Sequence, residues 1–366
     1  MIVGLCQVPY PQGASPQPFP TVASYRALRA LGVDGLRLQF DLSIAAPLPD
    51  KWDRSLFRAW IEPAFEAGMN INANYCVGAG PQSYAPVFHE RAAFELAKEF
   101  GRMVKSWSFE NEPGPKAQAY EGDDGPTATR DYMRDVYMPM CLAFVRGIRR
   151  AIPDAWIGGC DSDSATIQKR YTDLIDHMFS NAGAELHPLG PICDEEWIHN
   201  YGDVGGGHYA RLRGEPDDPG FLDVRTSRPM GISEIDHQQF PSAIKRAVFA
   251  AASARARGES DSEAAIVGAL ARLRPAPEET MALVDLLRRV GREFRDCTRF
   301  MLGCPDYFFE RGTISGTGLT CCSFYLAEPV VSDGGRAFAA AIAEINRPAD
   351  PPKKALPVRK RAVRSK

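Results

Sequence analysis

The chain has 366 residues, enough for one large α/β barrel or for two domains of medium size. Hydrophobic residues make up 45% and charged residues 24% of it, which is ordinary for a soluble globular protein with a sizeable core. No apolar run approaches the roughly 18 residues of a membrane-spanning helix, so such a span is excluded. The nine cysteines lack the C-x-x-C or H-x-x-x-H spacing of a zinc site and indicate reduced, buried thiols.

The net charge of −3 is unevenly distributed along the chain. Residues 347–366 contain eight Lys or Arg residues, one Asp and four Pro residues; their net charge of +7 leaves −10 for residues 1–346. We therefore expect a disordered basic tail over 347–366 after a folded domain of residues 1–346. Such a tail either binds an anionic partner, such as nucleic acid or a membrane surface, or solubilises the protein without a partner.

The N-terminal segment 1–7 is apolar, lacks a basic leader and is soon followed by Pro9. This pattern predicts a first β-strand rather than a secretory signal, and therefore a cytoplasmic protein. Export by a non-classical or assembly-linked route is the alternative.

Apolar segments of strand type alternate with amphipathic helical segments over residues 1–346. The first seven predicted strands cover 3–8, 35–40, 70–75, a segment from 104 that leads into Asn111-Glu112, 156–160, 195–201 and 229–234. The predicted helices cover 21–31, 52–67, 89–103, 129–151, 168–181, 242–257, 279–302 and 335–345.

The eighth strand is predicted at 319–325, with Tyr307–Phe309 as a competing candidate. A helical insertion at 259–278 precedes it. Eight strand–helix alternations in this length predict one (β/α)8 TIM barrel with a helical insertion before strand 8. The Gly-rich segment 312–318 lacks the Lys-Ser/Thr ending of a phosphate-binding loop, so we expect a hairpin turn there.

Catalytic residues of such a barrel collect where the strands end, at the carboxyl-terminal rim. Glu112 follows predicted strand four and Glu234 ends predicted strand seven, so the fold brings two carboxylates to one mouth. Two carboxylates flanking a sugar-sized cleft are the groups that glycosidic bond hydrolysis requires. One donates a proton to the leaving oxygen while the other attacks the anomeric carbon.

Polar side chains at other strand ends fit supporting roles. Arg37 and Tyr201 can keep Glu234 anionic through charge and hydrogen bonding. His199 can contact the sugar or orient the acid, and Asn111 can bind the hydroxyl next to the reacting carbon. The candidate substrate-binding residues are Arg37, Asn74, Tyr75, Asn111, His199 and Tyr201.

Aromatic residues near the strand ends are candidates for stacking on sugar rings. These are Trp52, Tyr75 and Tyr209. Trp107 alternates away from Glu112 along strand four, so we expect it to pack against the helices.

Four motifs, on strands two, four, six and seven, together resemble the large clan of retaining (β/α)8 glycoside hydrolases that includes the cellulase-like families. They are Gly35-Leu36-Arg37-Leu38, Asn111-Glu112-Pro113, His199-x-Tyr201 and Ile232-Ser233-Glu234. The resemblance covers about residues 1–346. It implies Glu112 as acid/base, Glu234 as nucleophile, a covalent glycosyl-enzyme intermediate and no cofactor. The resulting hypothesis is a retaining hydrolase of a β-linked oligo- or polysaccharide.

The chain departs from that clan at three places. Glu110 stands where a Trp often precedes the Asn-Glu pair, and we expect it to be a solvated or Arg-paired residue of the rim. Asn72 and Asn74 stand where many members have a His. Phe324 and Tyr325 are the substitutes for a Trp expected near the end of strand eight.

Two other functions stay open. Asp161, Asp163 and Glu196 would allow a metal-dependent barrel that abstracts a proton beside a carboxylate, although the two Asp residues also suit loop capping. A barrel that binds carbohydrate without turnover is the other alternative. The sequence leaves the sugar, the linkage and the oligomeric state open.

Overall fold

The structure is a computed structural model that describes residues 1–7, 19–46, 48–77, 84–110, 133–162, 193–202, 214–215, 218–219, 229–237, 275–313 and 320–347. Eight parallel strands form a closed barrel in which each strand pairs with its neighbours in chain order and the last pairs with the first. This confirms the predicted (β/α)8 barrel. In chain order the barrel strands are β1 Ile2–Gln7, β2 Gly35–Asp41, β3 Asn70–Cys76, β4 Val104–Phe109, β5 Ile157–Ser162, β6 Glu195–Gly202, β7 Met230–His237 and β8 Cys297–Leu302.

Helices follow most of the described strands, as the sequence pattern predicts. The α-helices are Val22–Ala30, Leu42–Ala45, Ser55–Glu66, Pro86–Phe100, Met138–Ala151, Pro277–Glu293 and Asp333–Ile345, and a π-helical turn covers Met133–Tyr137. None of these helices is long and apolar enough to cross a membrane. The helices predicted at 168–181 and 242–257, most of the insertion at 259–278, and the tail from 348 onward lie outside the described residues.

The eighth barrel strand does not lie where the sequence pattern placed it. The helix predicted over 279–302 ends at Glu293, and Cys297–Leu302 forms β8 between β7 and β1. The helical prediction was wrong because neither Gly nor Pro stands between 292 and 302 to mark the change. Apolar residues also continue across the junction at helical spacings of three and four, namely Leu283, Leu287, Val290, Phe294, Cys297 and Met301.

The segment predicted as the eighth strand, 319–325, lies outside the barrel. Its residues Thr320–Cys322 pair antiparallel with Arg311–Thr313. This pairing confirms the hairpin predicted around 312–318, although residues 314–319 lie outside the described part. The competing candidate Tyr307–Phe309 is not a barrel strand either, since Tyr307 ends a 3-10 turn.

Local sequence signals fix both ends of the helix Val22–Ala30. Thr21 Oγ1 accepts a hydrogen bond from the Ser24 N–H at 3.2 Å, and Ser24 Oγ accepts one from the Thr21 N–H at 3.0 Å. Gly32 follows the helix with a φ of +80°, a left-handed conformation that glycine adopts without steric cost. The turn at this glycine leads the chain into β2.

Residues of each strand alternate between the helix layer and the barrel interior. On β2, Phe40 faces the helices, where its ring stacks on Phe57 with 4.3 Å between centroids. Arg37 of the same strand has the opposite phase, and its guanidinium donates to Cys6 Sγ of β1 at 3.1 Å. Residues paired between neighbouring parallel strands lie on one face, so the register transfers this alternation from strand to strand.

A buried ion pair lies at the amino-terminal end of the barrel interior. Arg299 Nε of β8 is 3.1 Å from Glu195 Oε1 of β6, and both side chains are less than a tenth exposed. Trp156 Nε1 and Thr298 Oγ1 also donate to this carboxylate. The Arg299 guanidinium lies over the Trp197 ring, 4.8 Å from its centroid. These additional contacts offset part of the desolvation cost of burying two charges.

We expect Arg299→Met to lower the free energy of unfolding by about 3 to 5 kcal/mol, because it leaves the Glu195 carboxylate buried without its counter-charge. Arg26→Met is the matched control. Arg26 lies 3.7 Å from Glu66, but both side chains are about two-thirds exposed, so we expect a loss below about 1 kcal/mol. Urea denaturation of the two variants beside the parent measures both losses, and equal losses would contradict this account of the buried pair.

Candidate active site

Buried polar side chains of β3 and β4 form hydrogen bonds in the barrel interior. Asn72 Nδ2 donates to the Ser106 carbonyl oxygen at 2.9 Å and to Ser106 Oγ at 3.3 Å. One layer nearer the carboxyl-terminal rim, Asn74 Nδ2 donates to Ser108 Oγ at 2.9 Å and to the Glu110 carbonyl oxygen at 2.8 Å. The Asn and Ser side chains are buried, so water does not compete for these bonds.

Glu110 follows the last residue of β4 and precedes the segment that contains the candidate acid/base, Glu112. Its φ is +65°, and no other non-glycine residue in the described part of the chain has a positive φ. A residue with a Cβ is strained in this left-handed region. The Glu110 N–H donates to the Tyr75 carbonyl oxygen at 2.7 Å, and the Glu110 carbonyl accepts from Asn74. Both backbone polar groups are therefore held by β3.

The Glu110 side chain is fully buried, which corrects the expectation of a solvated rim residue. Its Oε1 accepts a hydrogen bond from the Val77 N–H at 3.4 Å and lies 3.5 Å from Cys76 Sγ. The left-handed backbone is the physical reason, because it directs the carboxylate towards the end of β3 instead of into solvent.

Tyr75 lies on the helix side of β3 and not in the barrel interior. Its hydroxyl is hydrogen-bonded to His89 Nδ1 at 2.9 Å, and its ring packs against Phe109 and Phe144. Burial raises the pKa of Tyr75 well above its usual value, and the charge of Glu110 raises it further, so the phenol stays neutral. Through these contacts the Tyr75 side chain packs between the barrel and its helices.

Two tryptophans singled out in the sequence also lie away from the barrel interior. Trp107 is buried in the hydrophobic core, as the alternation along β4 predicts. Trp52 and Phe88 line a groove of about 120 Å³ beside the helix Pro86–Phe100, and the Arg54 guanidinium lies 5.8 Å from the Trp52 ring centroid.

The register of β6 and β7 brings the main chains of His199 and Glu234 side by side. His199 is fully buried, and it follows the interior residue Trp197 by two positions, so the alternation puts it on the interior face. Ile198 pairs with Ile232, yet the next residue of β6 pairs with Glu234, so β7 contains one extra residue here. Bulges of this kind redirect side chains and are common beside active sites.

The register of β8 shows the same extra residue. Phe300 pairs with Ile232 and Leu302 pairs with Ile235, so three steps along β7 match two along β8. Ser233 lies in the bulge, where its Oγ donates to the Ile198 carbonyl oxygen at 3.2 Å. This bond fixes the bulge against β6.

Arg37 is buried in the barrel interior, level with Asn72 and Ser106 and one layer below Asn74. β2 lies three strand positions from β7 around the barrel, with β1 and β8 between them. Arg37 was predicted to lie with the polar residues at the strand ends, but it is the third residue of the seven-residue strand β2 and lies below the rim. The predicted contact with Glu234 concerns a side chain that lies outside what the structure describes.

Several candidate residues fall outside the described part of the chain. They are Asn111, Glu112, Asp163 and Tyr209. The main chain is described, but the side chain is not, at Asp161, Glu196, Tyr201 and Glu234. Among the described residues, no group of three or more His, Cys, Asp or Glu side chains is arranged to hold a metal ion. The proposed carboxylate cluster of Asp161, Asp163 and Glu196 is not among the side chains covered.

The interior roles of Ser106, Ser108 and Glu110 were not predicted from the sequence. A signal was present, because polar residues recur at every second position of β4 and match Asn72 and Asn74 on β3. This shared period of two indicates a polar face on both strands. The left-handed conformation of Glu110 has no comparable signal, since Glu rarely adopts it.

No protein-family model matches the chain, and no curated protein matches it in sequence. Solved structures do match its fold. The AHE enzyme from Alicyclobacillus herbarius is 12% identical with a TM-score of 0.56, over 95% of this chain and 98% of that chain. The endo-beta-1,4-glucanase Xac0029 from Xanthomonas axonopodis pv. citri is 13% identical with a TM-score of 0.51, over 94% of this chain and 99% of that chain.

A family 39 glycoside hydrolase from the gut symbiont Bacteroides cellulosilyticus WH2 is 13% identical with a TM-score of 0.52, over 94% of this chain. This chain spans 62% of the length of that protein. At such identities the likeness shows the fold alone: this chain shares a barrel fold with these three proteins.

We expect Tyr75→Phe to lower the free energy of unfolding by about 1 kcal/mol, since it removes the hydrogen bond to His89. The KM for a glycoside substrate should stay unchanged, because the hydroxyl lies on the helix side of β3. Thermal denaturation and steady-state kinetics measure the two quantities. A raised KM at unchanged stability would show instead that Tyr75 contacts the substrate.

Proposed function

We propose that the protein is a retaining glycoside hydrolase that cleaves a β-linked oligo- or polysaccharide by double displacement. Glu112 acts as acid/base and Glu234 as nucleophile, and the reaction needs no cofactor. The carbohydrate substrate binds at the carboxyl-terminal rim of the barrel, with Glu112 beyond the end of β4 and Glu234 in the carboxyl-terminal half of β7.

The observation that carries this proposal is the geometry of the exits of β4 and β7. All eight strands are parallel, so both exits open on the same rim, three strand positions apart. β4 ends at Phe109, three residues before Glu112. On β7, residue 234 pairs with the interior-facing His199, which supports an interior position for the nucleophile.

The chemistry follows from two carboxyl groups with different protonation. Protonated Glu112 gives its proton to the glycosidic oxygen while the bond from that oxygen to the anomeric carbon breaks. The Glu234 carboxylate attacks the anomeric carbon and forms a glycosyl ester. Glu112, now ionised, then takes a proton from the water that attacks the same carbon, and Glu234 leaves as a carboxylate. Two inversions give net retention.

Other rim residues are assigned by position. Asn111 binds the hydroxyl next to the reacting carbon, and His199 and Tyr201 face the sugar and the nucleophile from β6. Arg37 supplies positive charge in the interior, which favours the ionised form of Glu234. Asn74 and Tyr75 are not assigned to the sugar, because both amide hydrogens of Asn74 bind Ser108 and Glu110 and the Tyr75 hydroxyl binds His89 on the helix side of β3.

The activities named for two proteins of similar fold support the proposal. One is a family 39 glycoside hydrolase and the other an endo-beta-1,4-glucanase, and both match nearly the whole of this chain. The same scaffold therefore supports hydrolysis of glycosidic bonds in proteins of this shape.

A panel of aryl β-glycosides identifies a substrate and provides the assay. We expect Glu234→Ala to lower kcat by roughly 10⁴-fold or more, since it removes the nucleophile. Azide should restore turnover and give a glycosyl azide of inverted configuration, detected by NMR, because it occupies the space of the lost carboxylate.

Glu66→Ala is the control for this experiment, because Glu66 is about two-thirds exposed on the helix Ser55–Glu66. Its activity should equal that of the parent. An unchanged rate in Glu234→Ala would remove the nucleophile assignment. Loss of parent activity on chelation would favour the metal-dependent alternative instead.

A further inference from the structure

The Asn74 side chain joins β3 to the point where the chain leaves β4. It is fully buried, and its amide nitrogen donates both to Ser108 Oγ and to the Glu110 carbonyl oxygen. An Asn amide nitrogen carries two hydrogens, so these bonds use its whole donor capacity. The donor groups of Asn74 therefore act on Ser108 and on the main chain of Glu110.

Three contacts fix the conformation of Glu110. Its N–H donates to the Tyr75 carbonyl at 2.7 Å, its carbonyl accepts from Asn74 at 2.8 Å, and its carboxylate accepts from the Val77 N–H at 3.4 Å. Together they hold a φ of +65°, which an unconstrained Glu does not favour. The direction of the next peptide unit is thereby set, and Glu112 follows two residues later.

We propose that Asn74 is a positioning residue for Glu112 and acts through the main chain of Glu110. The inference rests on the proposed glycosidase function and adds a residue that touches neither the sugar nor the reacting carboxyl groups. Displacement of a reacting group by about 1 Å can cost about 100-fold in rate. A hydrogen bond that orients the peptide next to the acid/base segment is therefore strong enough to control proton donation.

The chain contains a matched control for Asn74. Asn72 lies two residues earlier on the same face of β3, is equally buried, and donates to the Ser106 carbonyl and hydroxyl oxygens. Both asparagines thus bridge β3 and β4 through a serine and a peptide carbonyl. They differ in depth, because only the Asn74 bond reaches the residue at the strand exit.

Substrates with different leaving groups distinguish a positioning role of Asn74 from a purely structural role. A general acid is most important when the leaving group is poor, whereas 2,4-dinitrophenolate departs with little protonation. We expect Asn74→Ala to lower kcat/KM by about 10- to 100-fold for a phenyl glycoside. The loss should be below about threefold for the dinitrophenyl glycoside of the same sugar.

Glu112→Ala should show the same dependence on leaving group with a larger loss. Asn72→Ala should lower kcat/KM by less than about threefold with either substrate, because its bonds lie one layer below the exit. Equal losses with both leaving groups, or equal losses in Asn72→Ala and Asn74→Ala, would overturn the proposal.

A second readout does not depend on activity. Hydrogen exchange of the amides at 110–112, followed by mass spectrometry, should be faster in Asn74→Ala and unchanged in Asn72→Ala. Asn74→Asp, which keeps the shape but loses the donor, should behave like Asn74→Ala and serves if the alanine variant does not fold. Unchanged exchange in the Asn74 variants would reject the positioning role. A parent protein that cleaves no glycoside would reject the hydrolase function instead, and exchange would still test Asn74.

Discussion

Hydrogen bonds from two asparagines of β3 set the position of β4. Barrel interiors are commonly filled by bulky apolar side chains, which pack by shape. Here the facing residues are Asn72 with Ser106 and Asn74 with Ser108. Each of these bonds forms only in one register of β4 against β3. Buried polar groups are costly when unpaired, so this arrangement penalises any slip between the strands. The second bond of Asn74, to the Glu110 carbonyl oxygen, extends this constraint to the exit of β4.

Each proposed carboxylate lies close to a backbone irregularity. β4 ends in a left-handed Glu110, and β7 has an extra residue at Ser233 and Glu234. Without that extra residue, position 234 would share the phase of Ile232, which faces the helices. Local departures from regular geometry persist where surrounding contacts compensate for them. Here Asn74, the Val77 N–H and the Ser233 hydroxyl supply those contacts.

Much of the fold could be predicted from the sequence, because strand and helix periods are clear and Gly32, Gly68 and Gly101 mark three of the helix ends. The eighth strand could not, since helical spacing continues from Val290 through Phe294 into Cys297. The placement of Tyr75 could have been predicted: it is adjacent to Asn74 on one strand, and neighbours face opposite sides. Glu110 and the β7 bulge depend on contacts with neighbouring strands, which the local sequence does not reveal.

Double displacement requires Glu234 to become covalently bonded to the sugar. A 2-deoxy-2-fluoro glycoside with a good leaving group slows breakdown of the intermediate, so the labelled protein can be digested and its peptides identified by mass spectrometry. We expect one fluoroglycosyl group on the peptide that contains Glu234, and none in Glu234→Ala. A label on another carboxylate, or turnover without any labelled peptide, would contradict the assignment of Glu234.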